Sequence, residues 1–362
     1  MKIAFISSGS SIHVKKIANE LANRGYEITL YTLPDNDKLL SNFDKRVQIV
    51  KLPIKGKLGY FLNAPFIRRH LKTHPVDIVN SHYASGYGTL ARLVGKHPLA
   101  LAVFGSDVFG YPFRSKMNMR MIIKNFDCAD VISSTSQVMA EKIREFYHRE
   151  RPIYVTPFGV DIQIFRAVTV KKDDCFEIGI IKKIEKIYGY EYLMKAFKLL
   201  KEEYGVKNTR LVIYGCGSAV EKYQALSRQL GISKNVIFRG FIQNETVPEA
   251  LSRMDVVCMP SIVDESFGVA AVEAMACGVP VVASDASGFT EVIEDGVTGF
   301  IVPKKDEKAL ATALYRVYLM SEDKRNQMGQ AGINRVHQLY NFTNNMDTYE
   351  SALKMALNRK KS

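Results

Sequence analysis

The sequence predicts an α/β protein of two parallel-sheet domains in series. Three observations predict it. The chain has 362 residues, too many for one ordinary core and suitable for two. Short apolar, β-branched runs alternate with amphipathic helical stretches. This alternation occurs in two sets, separated by a join that carries prolines and a polar end.

The first set opens with KIAFIS, a buried strand, followed by a Gly/Ser turn that contains Gly9. VKKIANELANRG then has helical spacing, with Val14, Ile17, Ala18 and Leu21 on one face and Gly25 placed to end the helix. EITLYT completes a βαβ unit, which implies a parallel sheet with a right-handed crossover. DIVNSH, ALAVFGS and VISST extend the sheet. The join lies in RPIYVTPFGVDIQIFRAVTVKKDD, and the boundary is placed after residue 166. FEIGII, RLVIYG, NVIFRG, DVVCMP, PVVAS and GFIVP form the second set, between helical stretches such as EYLMKAFKLLKEEYG and GVAAVEAMACG, over 167–338. Ligands of such sheets sit beyond the C-terminal ends of the strands, so a cleft between the domains is the expected site.

Composition narrows the class. No run approaches the roughly 18 apolar residues that cross a bilayer. MKIAFISSGS reads as a strand rather than a signal peptide, so a cytoplasmic protein is expected. The five cysteines are odd in number and not spaced as metal pairs, and are read as reduced core residues. The net charge of +13 is concentrated in the first half: residues 55–124 hold 11 basic and 2 acidic side chains. Residues 55–72 and 109–124 mix these cations with Phe, Leu and Met, a combination that suits an anionic membrane surface. Nucleic acid is the competing anion, but the chain has no Trp and no nucleic-acid module.

The stretch PSIVDESFGVAAVEAMACGVPVVAS carries the chemistry. A strand ends at Met259-Pro260, a loop holds Asp264, Glu265 and Ser266, and a helix starts near Phe267, Gly268 and Val269. The first N–H groups of a helix lack internal acceptors and attract anions, and Gly268 lets a phosphate approach the backbone. Glu273 is expected about two turns into that helix. Two carboxylates eight residues apart suit the two ends of a nucleotide-sugar, with Glu265 at the sugar and Glu273 at the ribose hydroxyls. The spacing alone equally fits a loop acid and a helix acid that suits the dipole.

These residues resemble the E-x7-E region of glycosyltransferase family four, retaining enzymes of the GT-B fold. SSGSS with IANELANRGYEITLYT, DIVNSHYA, VFGSD, LVIYGCGS, VIFRGFI, GVPVVAS and TEVIEDGVTGFIVP match the family in order over nearly the whole chain. The resemblance implies two Rossmann-like doubly wound domains facing a central cleft, with the acceptor bound by the first and the donor by the second. Residues 339–362 look like the family's helix that crosses back to the first domain.

By the same resemblance, Glu265 and Glu273 are the family's two glutamates. The Ser266, Phe267, Gly268 and Val269 backbone, Gly240 and Phe241 would bind the donor, and Gly9 would approach its phosphate across the cleft. The family's Arg and Lys, five residues apart before a Gly, fall on Lys183 and Tyr188 when counted back from Gly189; Lys186 lies two residues before the usual Lys. Lys183 and Lys186 are the expected diphosphate clamp, as point charges without an Arg fork. The family's His-Gly-Ser/Thr-Asp is Phe104-Gly105-Ser106-Asp107 here, so the imidazole is missing; His82 and Asp107 are the candidates near the reacting sugar.

In the resembling family no metal is needed, because lysines and the helix N-terminus take the phosphate charge, so no metal or cofactor is expected. Asp35-Asn36-Asp37 has D-x-D spacing but reads as a turn, and GCGSAV lacks the third glycine of a dinucleotide fingerprint. The expected activity is retaining transfer of a hexosyl or N-acetylhexosaminyl group from a nucleotide-sugar, UDP-linked, to an acceptor hydroxyl on a lipid-linked glycan, in surface polysaccharide or glycan assembly. The alternatives are a degenerate nucleotide-binding scaffold subunit and a GT-B sugar-nucleotide epimerase.

Overall fold

A computed structural model describes residues 1–34, 40 and 43–359. The Asp35-Asn36-Asp37 turn lies outside the described residues. The chain divides into unit 1, Met1–Phe158 with Asn344–Ser362, and unit 2, Gly159–Thr343. The division falls eight residues before the sequence-based boundary of 166. Residues just after it belong to unit 2 because Val160 N–H donates to the Tyr340 carbonyl at 2.8 Å and the Val160 carbonyl accepts from Phe342 N–H at 2.9 Å.

Unit 1 holds β1 (Lys2–Ile6), β2 (Glu27–Thr32), β3 (Gln48–Lys51), β4 (Ile78–His82), β5 (Leu99–Val103), β6 (Val131–Ser134) and β7 (Ile153–Val155). They form one parallel sheet in the order β3-β2-β1-β4-β5-β6-β7. The first helix, Ile12–Asn23, starts on a Ser11 side-chain cap and buries Val14, Ile17, Ala18 and Leu21. It ends as the sequence indicates: Gly25, at φ +86°, donates to Ala22 at 3.1 Å and Tyr26 donates to Leu21 at 3.0 Å. Strands β3 and β7 were not legible, being short and only half-buried.

The last helix, Phe342–Arg359, is held within unit 1 from residue 344 onward. Arg24 pairs with Asp347 and Glu350, and Tyr349 donates to Asn80 Oδ1 at 2.6 Å in the sheet core.

Unit 2 holds β8 (Phe176–Ile181), β9 (Thr209–Tyr214), β10 (Val236–Gly240), β11 (Val256–Met259), β12 (Val281–Ser284) and β13 (Gly299–Val302), all parallel, in the order β10-β9-β8-β11-β12-β13. All six were legible as apolar runs, because a parallel sheet covered on both faces needs them. Ile178, Ile180, Leu211, Ile213, Val256 and Cys258 pack with Leu193, Phe197, Leu310 and Leu314 from two helices. Strand order reverses between β8 and β11, which opens a crevice at their C-terminal ends.

Candidate functional site

The loops leaving β8 and β11 meet at this crevice in unit 2. Lys182 follows β8 directly, and its Nζ donates to Glu265 Oε1 at 2.7 Å. Ser261 Oγ donates to the same oxygen at 2.6 Å. Among the described residues Glu265 Oε2 receives no such bond, so one carboxylate oxygen is held by the protein and the other is available to a ligand. The Lys182 ammonium also lies 4.5 Å from the centre of the Tyr188 ring. Both partners of the ion pair keep only 16% of their side-chain surface exposed.

Glycines make this convergence possible. Gly189 has φ +71°, and a Cβ there would come within 1.8 Å of the Pro260 carbonyl oxygen. The turn carrying Tyr188 therefore lies directly on the Glu265 loop, fastened by Ile262 N–H to the Ile187 carbonyl at 2.9 Å. On the other side Gly288 donates to the Glu265 carbonyl at 2.9 Å.

The helix after this loop is Val269–Ala276, and Gly268 is its N-cap at φ +96°. A Cβ on Gly268 would meet the Phe289 ring at 2.8 Å. The side chain of Phe267 is buried and packs on Tyr340, with ring centres 5.3 Å apart, while Ser266 and Val269 are half-buried. Glu273 is the fifth helical residue, hence one turn in rather than two, because residues 265–268 are irregular. It is half-buried, and burial together with the Glu273 charge pushes the Cys277 thiol up to about 12.

Lys183 and Lys186 are exposed and line one concavity of about 580 Å³ with Glu185, Tyr188, Ser218 and Lys222. Ser218 Oγ donates to Glu185 at 2.7 Å and, with the Ser218 N–H, holds that carboxyl below its usual range. Gly240, at φ +73°, accepts from Gly215 N–H at 2.7 Å, and the Phe241 side chain beyond it is 76% exposed. Only Cys258 and Cys277 are core cysteines. Cys128 and Cys175 are half-buried, and Cys216 is exposed in a loop whose flanking Gly215 and Gly217 lie against the backbone of Lys182 and Ile184.

Sequence reasoning missed Lys182, Ser261 and the Tyr188 face. Counting cations back from Gly189 passes over Lys182. Lys182 lies one residue past β8, and its bond to Glu265 joins residues 83 positions apart, so no local spacing marks it.

In unit 1, Gly9 N–H donates to Thr32 Oγ1 at 2.8 Å, and a Cβ on Gly9 would strike the Leu40 side chain at 2.3 Å. His82 is fully buried. Its Nε2 donates to the Tyr349 hydroxyl at 2.9 Å, because that hydroxyl gives its own proton to Asn80. Its Nδ1 has no partner among the described residues, and burial lowers the imidazole to about 3. Asp107 is also buried. Burial raises its pKa against the N–H groups of Ala84, Gly105 and Phe104, which donate to it at 2.8, 2.9 and 3.1 Å. Phe104 sits among His13, His82, Tyr83 and Phe158, with ring centres 4.8 to 6.1 Å away.

Residues 161–335 match the family description "Glycosyl transferases group 1", and residues 2–136 match "Glycosyl transferase 4-like". The chain is a GT-B glycosyltransferase. It is 26% identical over 350 residues to an uncharacterized glycosyltransferase of Methanocaldococcus jannaschii, covering 88% of this chain and 89% of the other. It is 27% identical to a D-inositol 3-phosphate glycosyltransferase of Corynebacterium urealyticum, covering 90% and 85%. The fold of this glycosyltransferase matches Anabaena HepE solved with UDP, at a TM-score of 0.84 and 18% identity over 98% of this chain and 100% of that one. HepE has also been solved with UDP-glucose, and that structure matches at a TM-score of 0.78.

Proposed function

We propose that this glycosyltransferase belongs to family four and moves a hexosyl or N-acetylhexosaminyl group from a UDP-linked donor to an acceptor hydroxyl, with retention at the anomeric carbon. The observation that carries the proposal is Glu265, pinned at Oε1 by Lys182 and Ser261 with Oε2 left to accept sugar hydroxyls, just before a helix N-terminus. The fold match to a UDP-glucose complex supports the choice of donor.

In this reading Glu265 orients the sugar and is not a nucleophile. The transition state gains oxocarbenium character while the diphosphate leaves with the bonding electrons. The N–H groups at Gly268 and Val269, with Lys183 and Lys186, would stabilise that leaving charge as it develops. Glu273 would accept from the ribose, and Phe241 would lie against the base. No metal or cofactor is invoked. Unit 1 would take the acceptor, a lipid-linked glycan in surface polysaccharide or glycan assembly, on the cytoplasmic side of an anionic membrane. Buried His82 and Asp107 would act there by holding the acceptor-side loops in place rather than by touching the sugar.

Incubating the purified chain with UDP-sugars and lipid-linked acceptors, and assaying UDP release and glycosylated product, tests the proposal. Acceptor-dependent turnover supports it. Nucleotide binding without turnover of any donor would indicate a scaffold subunit, and conversion of the donor sugar without acceptor would indicate an epimerase.

A further inference from the structure

We infer that one edge of unit 1, formed by residues 55–72 and 110–124, docks on an anionic lipid bilayer. This extends the proposed acceptor chemistry but stands on different residues from the donor site.

The helix Gly56–Leu62 buries only Gly59, where a Cβ would come within 2.3 Å of the Ile54 carbonyl oxygen. Leu58, 66% exposed, Phe61 and Leu62 therefore project into solvent. The next helix, Ala64–Thr73, buries Ala64, Ile67 and Leu71 and leaves Phe66 outside. After β5, the turn Tyr111–Arg114 and the helix Lys116–Cys128 expose Phe113 and Met117, the latter 69% exposed. A solvated face does not concentrate six large apolar side chains in this way.

The two segments share an edge. Gly56–Leu62 follows β3 and Tyr111–Arg114 follows β5, so both start beyond the C-terminal ends of parallel strands, while Arg68, bonded to the Leu93 and Val94 carbonyls, lies further along the same flank toward the start of β5. The helix Gly86–Val94 joins them. Tyr60 lies against Gly86 and Tyr87 on one side, and Asn125 bonds Ala84, Thr89 and Arg92 on the other.

Charge selects the occupant. Lys55, Lys57, Arg68, Arg69, Lys72, Arg114, Lys116, Arg120 and Lys124 are all exposed, and neither segment contains an acid. Arg68 bonds only backbone carbonyls, of Val94 and Leu93, and among the described residues the other eight make no ion pair. Cations at a phosphate layer with Leu, Phe and Met beneath them fit a headgroup boundary. A nucleic acid would use the cations but leave Leu58, Leu62 and Met117 without a role. No helix among the described residues is long and apolar enough to cross a membrane, so attachment would be to the surface.

Flotation of the full chain with vesicles tests this. The chain should float with vesicles of equal parts phosphatidylcholine and phosphatidylglycerol, and not with phosphatidylcholine alone. Raising salt from about 0.1 M to about 1 M, which cuts the screening length from about 10 to about 3 Å, should weaken binding. Leu58→Ser/Phe61→Ser/Leu62→Ser should weaken it by roughly 10-fold or more, as should Lys55→Glu/Lys57→Glu. Phe113→Ser/Met117→Ser is an independent second variant and should also lose binding. All variants should keep the wild-type thermal shift with UDP, because they alter exposed side chains of unit 1. Flotation without any UDP shift supports the docking face while telling against the donor reading. Wild type that ignores anionic vesicles, apolar variants that float like wild type, or an RNA oligomer that displaces the vesicles and still binds the apolar variants would each overturn the inference.

Discussion

Lys182, one residue past β8, donates to Glu265 in the loop after β11, across the point where the strand order of unit 2 reverses. The pair is mostly shielded, and Ser261 bonds the same carboxylate oxygen. Removing one partner leaves the other shielded and short of a bond. Lys182→Met or Glu265→Gln should each cost about 1–3 kcal/mol of stability, measured by urea unfolding. The double variant should cost less than their sum. Glu265→Gln should lower transfer by about 100-fold or more while leaving UDP affinity within about threefold. A parallel loss of UDP affinity would place Glu265 at the nucleotide instead of the sugar.

Gly268 is constrained in two ways. Its φ of +96° is a region L side chains avoid, and a Cβ would sit 2.8 Å from Phe289. Gly268→Ala should destabilise unit 2 by about 1–3 kcal/mol. It should also weaken UDP binding, because the helix N-terminus shifts. Gly268→Ala/Phe289→Leu relieves the clash but not the backbone strain, so its melting temperature should be only partly restored.

Phe241 offers an aromatic face without a packing role. At 76% exposure, Phe241→Ala should leave stability within about 0.5 kcal/mol of wild type. If the ring lies against the base, UDP affinity falls by roughly 10-fold, as for other base–aromatic stacks. Unchanged affinity in a calorimetric titration removes Phe241 from the donor site.

His82 and His13 make unit 1 acid-sensitive. Burial lowers His82 from 6.5 to about 3, and burial together with Lys16 lowers His13 to about 4. The unfolded chain takes up these protons first, so the stability they contribute is fully present above pH 6.5. It is lost as pH falls toward the folded values, by about 1.4 kcal/mol per pH unit for each group once its unfolded form is mostly protonated. Between about pH 6.5 and 4.5, above the carboxylate range, unfolding monitored by circular dichroism should show this loss. His82→Phe should flatten the slope. An unchanged slope would show that His82 is not held neutral.

Much of the fold was legible because doubly covered parallel strands must be apolar. FEIGII and DVVCMP announce β8 and β11, and Gly25 announces the end of the first helix. Half-buried β3 and β7 gave no such signal. At the site, the glutamates and Gly268 could be read from spacing and resemblance. Lys182 could not, since its role comes from Gly189 pressing one loop onto another, a contact between residues 71 positions apart in sequence (Gly189 and Pro260). Phe104 was legible as a departure from the family, but its place in an aromatic cluster was not.

The most direct test of the central claim is calorimetric titration of UDP into the full chain and its Glu273→Ala variant. UDP should bind wild type saturably and the variant at least about 10-fold more weakly, because the variant loses charge-assisted hydrogen bonds to the ribose. No binding of UDP to wild type, or equal affinity in both proteins, would contradict it.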